Sequence, residues 1–117
     1  MSTENMRFAI RSKIWIEDEA GNVVFGEGRF RILEAVSRLQ SLQAASKELK
    51  MSYRALWGRI KASEKRIGQP LVAREGKGSC LTPFARELMT QFQKLQTSIR
   101  KESDGVYSDL MSDRFNR

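Results

Sequence analysis

The side chains in this sequence that could do chemistry are hydrogen-bond donors and stacking groups, not nucleophiles or acid–base pairs. The 117 residues include no histidine and one cysteine, Cys80. That leaves no histidine general base and no Cys/His zinc set. No carboxylate pair or nucleophile–base arrangement stands out in their place. The sequence instead concentrates Ser52, Tyr53, Arg54, Trp57, Arg59 and Lys61 in one short segment, with Lys77 following at the centre of a glycine-flanked tip. Guanidinium, ammonium and hydroxyl groups beside aromatic rings suit phosphates and base edges. From Lys47 to Lys77 there are nine basic residues and three acids, so this stretch holds an excess of six out of a net charge of +7. A located excess of this kind is the footprint of a polyanion binder, and its bland counterpart is a solvated basic face. No enzyme and no cofactor are expected.

Two helices must position these groups. Leu42, Ala45 and Leu49 repeat at helical spacing, and Leu56, Ile60 and Ile67 supply a second stripe. Ala45 is small enough to let the helices cross closely, and Ser52 is placed to cap the second one. The pair reads as a helix-turn-helix whose second helix, residues 52–67, would enter the major groove of DNA. Tyr53, Arg54 and Trp57 then face the groove, with Arg54 able to read guanine edges bidentately. Arg59, Lys61 and Lys77 are expected on phosphates, and Ser52 both caps the helix and touches backbone. Trp57 has two open roles, a DNA contact or burial against the following hairpin. Lys65 and Arg66 read as solvated charges.

The flanking chain supplies the frame. Phe8, Ile10, Ser12, Ile14 and Ile16 alternate as in a one-sided strand, Asp18 to Asn22 carries turn chemistry, and Val23 to Phe25 returns. This hairpin either anchors the first helix or takes part in a dimer contact. Gly26 and Gly28 break the strand, and Arg29 to Leu39 follows as a core-facing helix. Ser41 caps the next helix, which runs to about Lys50; the third runs from Tyr53 to Ile67 and stops at Gly68. Leu71 to Arg74 and Cys80 to Thr82 flank Gly76-Lys77-Gly78 as a β-hairpin, a wing spanning residues 71–82. Thr82-Pro83 opens a last helix over 83–102, where Ala85, Leu88, Phe92, Leu95 and Ile99 form a short heptad stripe. That stripe either folds back on its own domain or, through Leu88, Phe92, Leu95 and Ile99, pairs two subunits. Cys80 reads as a small strand residue, with redox sensing as its alternative.

The expected fold class is therefore mostly α with small β: a winged helix-turn-helix with an N-terminal β-hairpin and a C-terminal dimerisation helix. Residues 1–6 are expected to be a flexible arm, 7–102 the domain and 103–117 a flexible tail. The length suits one core. No apolar run is long enough for a membrane span and no signal segment opens the chain, so a cytoplasmic protein is expected.

The segment from Ser52 to Ile60, with its Ser-Tyr-Arg start and Trp57, resembles the recognition helix of ModE-type molybdate-responsive regulators. Leu71 to Arg74, the glycine-rich tip and Leu81-Thr82 resemble the wing and helix start of that family and of LysR-type regulators. The resemblance runs from about Phe8 to Leu95. It implies a winged-helix DNA-binding domain acting on double-stranded DNA as a homodimer, in a bacterial transcriptional regulator. The C-terminal oxyanion-binding domains of ModE proteins and the large effector domain of LysR-type proteins have no counterpart in these residues, so no molybdate site is expected. Gly58, which costs about 1 kcal/mol of helix propensity against alanine, and Ser63, at a position usually apolar in the family, are departures. The competing function is a winged-helix protein-interaction module or co-regulator without operator recognition.

Overall fold

The computed structural model describes residues 8–112. The described residues divide into two compact units, one running from Ile14 to Gln91 and the other drawing on residues 8–13 and 92–112 from the two chain ends. The expected arm over residues 1–6 lies outside the described residues, as do residues 113–117.

The Ile14–Gln91 unit opens with a short antiparallel hairpin, β1 (Trp15–Glu17) and β2 (Val23–Gly26). Asp18 closes its loop by accepting the amides of Ala20 and Asn22, each at 2.9 Å, while Gly21 takes a left-handed φ of 86°. The period-two pattern from Phe8 predicted a longer strand, but residues 8–14 have no regular structure and Phe8 and Ile10 are exposed. The reason lies in the partner. Helix α1 (Glu27–Leu39) begins directly after Gly26, so β2 has only four residues to offer and β1 stops where pairing stops. Gly28, expected to break the strand, is already inside α1. The hairpin is anchored through Phe25, which is fully buried, and β2 packs against α1 and α3 (Tyr53–Ile67).

Of the first three helices, the second and third carry the expected caps. In α1, Ile32, Leu33, Ala35 and Val36 are buried, and Gln40 ends the helix in the left-handed region with φ 54°. The Ser41 hydroxyl accepts the Ala44 amide at 3.0 Å and starts α2 (Leu42–Glu48). Arg38 of α1 ties the two helices by donating to Glu34 and Glu48. The Ser52 hydroxyl accepts the Ala55 amide at 3.0 Å at the head of α3, and Gly68, with φ 81°, closes its end. Leu56 and Ile60 turn into the core with Ala45. A Ser52→Ala chain should lose about 1 kcal/mol of stability, the usual cost of an N-cap, read as a lower urea midpoint at unchanged slope.

Strands β3 (Val72–Glu75) and β4 (Gly78–Leu81) form the wing, paired antiparallel from Val72↔Leu81 to Glu75↔Gly78. Gly76 has φ 59° and Lys77 does not share a positive φ, the signature of a type II′ two-residue turn. Thr82 stitches the base of the wing to the last helix, α4 (Pro83–Tyr107). Its amide donates to Leu71 O at 3.0 Å, and its hydroxyl donates to Pro70 O at 2.8 Å and accepts the Ala85 amide at 3.1 Å, which caps α4.

In the unit of chain ends, the helix does not stop at residue 102. It continues through Gly105 to Tyr107 and passes into a π-helical turn at Ser108–Ser112. Each residue added to a formed helix gains a hydrogen bond, which outweighs the roughly 1 kcal/mol cost of one glycine. Phe92 is 2% exposed and Leu95 42% exposed. Leu88 and Ile99 are half-buried.

Candidate nucleic-acid interface

The N-terminal half of α3, the start of α2 and the wing frame a groove of about 440 Å³, lined by Ser41, Leu42 and Gln43 from one side, Tyr53 and Trp57 from α3, and Val72 to Arg74 with Lys77 to Ser79 from the wing. Three of the expected groups, Tyr53, Trp57 and Lys77, come together here. Arg54 is exposed one position round α3 from Tyr53, and Ser52 is engaged as the cap.

Trp57 sits between its two open roles. It lines the groove beside the wing and is still 37% exposed. The Lys61 ammonium lies 4.5 Å from the centre of its ring, a cation–π contact, and pairs with Glu64 at 3.0 Å. Lys61, expected on a phosphate, is thus held against the protein along the Tyr53–Trp57 stripe.

Arg59, also expected on a phosphate, occupies a different flank. At about 100° of rotation per residue, two positions beyond Trp57 place it on the other flank of α3, where it shares a stripe with Ser63 and Arg66. Ser63 is fully buried and its hydroxyl accepts Nε of Arg29 at 3.2 Å. A polar residue at this inward position is therefore satisfied by an arginine reaching over from α1. Arg66, expected to be a solvated charge, donates to the Val23 carbonyl of β2. Burial, and then the charges of Arg59 and Arg66, hold the Arg29 guanidinium below its ordinary pKa.

The residue that sequence reasoning missed is Glu64. Its Oε2 accepts the amides of Leu71 at 2.7 Å and Val72 at 3.3 Å, and its Oε1 pairs with Lys61, so one carboxylate joins α3 to the first residues of the wing. Burial pushes this carboxyl up, but the two amides and Lys61 outweigh it and the net position is below the usual glutamate range. The wing is also held from the opposite side, where the Ser79 amide donates to the Gln40 carbonyl at 3.1 Å. Arg74, counted in the basic excess but given no role, lines the groove as well. Cys80 lies in β4 as a half-buried strand residue. Among the described residues, no group of three or more His, Cys, Asp or Glu is placed to hold a metal, and no helix is long and apolar enough to cross a membrane.

Comparison with known proteins agrees with this architecture. The chain is 26% identical over 104 residues to the molybdenum transport protein ModE of Azotobacter vinelandii, covering 85% of this chain and 38% of that protein. It is 28% identical over 81 residues to the molybdenum-pterin-binding protein MopB of Rhodobacter capsulatus, covering 65% and 30%. It is 30% identical over 73 residues to the transcriptional regulator ModE of Haemophilus influenzae, covering 58% and 29%. The chain thus spans about a third of the length of these relatives. Among solved structures, its fold is similar to that of the CbnR DNA-binding domain in complex with DNA, with a TM-score of 0.56 at 20% identity over 70% of this chain and 94% of that one. It is similar also to the BenM DNA-binding domain on benA site 1 DNA, with a TM-score of 0.54 at 20% identity over 72% and 94%. The sequence profile of the bacterial regulatory helix-turn-helix proteins of the lysR family matches residues 28–86. With half its length matched, from α1 to the start of α4, the chain belongs to the lysR family of bacterial regulatory helix-turn-helix proteins.

Proposed function

We propose that this chain binds duplex DNA sequence-specifically, as a homodimer, in a transcriptional regulator. The observation that carries the reading is the groove in which the exposed head of α3 and the wing stand side by side, with Tyr53, Trp57, Arg74 and Lys77 lining it and Arg54 beside it. α3 enters the major groove from its capped end, where Arg54 meets base edges. Lys77 lies at the wing tip against a phosphate, and Ser52 touches backbone while it caps. Trp57 packs toward the wing with its free edge turned to the groove. The half-buried Leu88 and Ile99 with the exposed Leu95 supply the subunit contact of α4. A dimer on a palindromic operator sets half-sites about 34–36 Å apart. The role is regulatory, not enzymatic, and is exercised inside the cell on its DNA. The molybdenum chemistry named for two relatives is not carried over, since the chain matches only about a third of each.

The test is binding to genomic fragments across a salt series with a non-specific duplex as competitor. Fragments retained over competitor, with affinity falling steeply as salt rises, are the expected result. Arg54→Ala should cost about 1–3 kcal/mol on the preferred site and relax the preference at one base position. Lys77→Ala should weaken every duplex alike and reduce the log–log salt slope by about 1. No duplex binding at low salt would move the chain to the protein-interaction reading.

A further inference from the structure

We propose that Arg29, which donates to the buried Ser63 hydroxyl, and Arg59 and Arg66, which flank Ser63 along α3, form a binding site for a phosphate-class oxyanion on the flank of α3 away from the wing. Arg59, Ser63 and Arg66 follow one another at spacings of four and three residues, so they share one stripe of the helix. Arg29 crosses from α1 and donates Nε to Ser63 at 3.2 Å. That bond and the Arg66 bond to Val23 O use one N–H of each guanidinium, leaving most of their five donors open.

Arg31 and Arg38 are paired with glutamates on the helix surface. Among the described residues, none of the three clustered arginines has a carboxylate at ion-pair distance. Asp18 is near enough to feel Arg66, but its carboxylate is occupied by the amides of Ala20 and Asn22 and by Nδ2 of Asn22. Three cations held together, one of them partly buried, repel each other until an anion arrives, and guanidinium forks match the oxygens of a phosphate. The ligand chemistry has two sources, a backbone phosphate of DNA or a free inorganic oxyanion.

Two measurements on the full chain separate them. The first is thermal unfolding in phosphate against chloride at matched ionic strength; the second is duplex affinity against salt. Arg59→Gln, at an exposed position, is the main variant, and Arg29→Lys keeps the charge but not the Ser63 geometry. If the site takes free oxyanion, phosphate raises Tm saturably in the unaltered chain and both variants flatten the response. If it takes DNA backbone, inorganic phosphate has no saturable effect, but Arg59→Gln lowers the log–log salt slope by about 1 without changing base preference. This second arm rests on the duplex-binding reading. An unaltered chain that binds no duplex defeats that reading, and the phosphate titration alone then decides the site. Variants indistinguishable from the unaltered chain in both measurements would overturn the proposal.

Discussion

Replacing Glu64 with alanine is expected to lower stability by about 3 kcal/mol and to weaken binding to all duplexes together. The estimate starts from the two amide bonds that Oε2 accepts from Leu71 and Val72. Hydrogen bonds to a charged acceptor contribute about 1.5–3 kcal/mol each, and a buried amide left without its acceptor carries its desolvation cost. The two bonds share one oxygen and are not additive, which places the sum near the upper end for a single bond. Leu71 is 1% exposed, so its amide loses its acceptor in a buried position. The same carboxylate holds Lys61, which lies over Trp57, so its removal also loosens the α3 side of the groove. Binding falls because the wing is no longer placed, not because a DNA contact is lost, so base preference should survive.

The same residue gives a pH signature. The Glu64 pKa is depressed in the folded chain, although burial alone would raise it, because the amides and Lys61 favour the carboxylate. A depressed carboxylate contributes stability that is complete above its unfolded pKa and lost as pH falls through the folded value. The unaltered chain should therefore lose stability relative to Glu64→Gln as the pH is lowered through and below the usual glutamate range, while the difference stays constant from there to neutrality. Equal acid limbs in urea titrations of the two chains would show that the carboxylate charge does not hold the wing.

Much of this arrangement is legible in the sequence because its causes are local. The hydroxyls of Ser41, Ser52 and Thr82 cap the helices they precede, Gly68 ends α3 in the left-handed region, and the apolar stripes name Leu33, Val36, Leu56 and Ile60 as core. The wing arises from two apolar runs and a glycine-rich tip. What is not legible is tertiary. The alternation from Phe8 states a preference for extended backbone, but it cannot say that β2 is too short to pair with it. Glu64 reads as a surface charge until the first residues of the wing fold back over α3. Arg59 and Lys61 are two residues apart and look equivalent as basic side chains, yet the helix sends one toward Arg29 and the other toward Trp57. The candidate interface is recoverable in residue type and, by helical rotation, in flank; what each flank packs against is not.

Gly78→Ala is expected to unseat the wing with a single methyl group, at a cost of about 1–3 kcal/mol, the usual range for overpacking. Gly78 does not need glycine for its backbone angles, since its φ is outside the left-handed region. It needs glycine for space: a Cβ there would lie 2.6 Å from the Gln40 carbonyl oxygen, a backbone atom. That carbonyl is not free to retreat. Gln40 sits at the end of α1 with φ 54° and its amide bonded to Val36 O, and its oxygen already accepts the Ser79 amide at 3.1 Å. Relief must come from β4 moving off, which breaks the Ser79 bond and widens the groove between the wing and α3. Gly76 makes the contrast. It has a φ of 59° and nothing within 4 Å of an added Cβ, so its requirement is conformational: the first central position of a type II′ turn is a glycine position, and any side chain there strains the turn without pressing on Gln40. Urea midpoints should therefore fall for both Gly78→Ala and Gly76→Asn, but duplex affinity should fall clearly only for Gly78→Ala, which alone pushes β4 off the Gln40 carbonyl. If Gly78→Ala keeps its midpoint and its affinity, the wing is not seated on the Gln40 carbonyl, and the groove between the wing and α3 does not have the fixed width that a bound duplex would need.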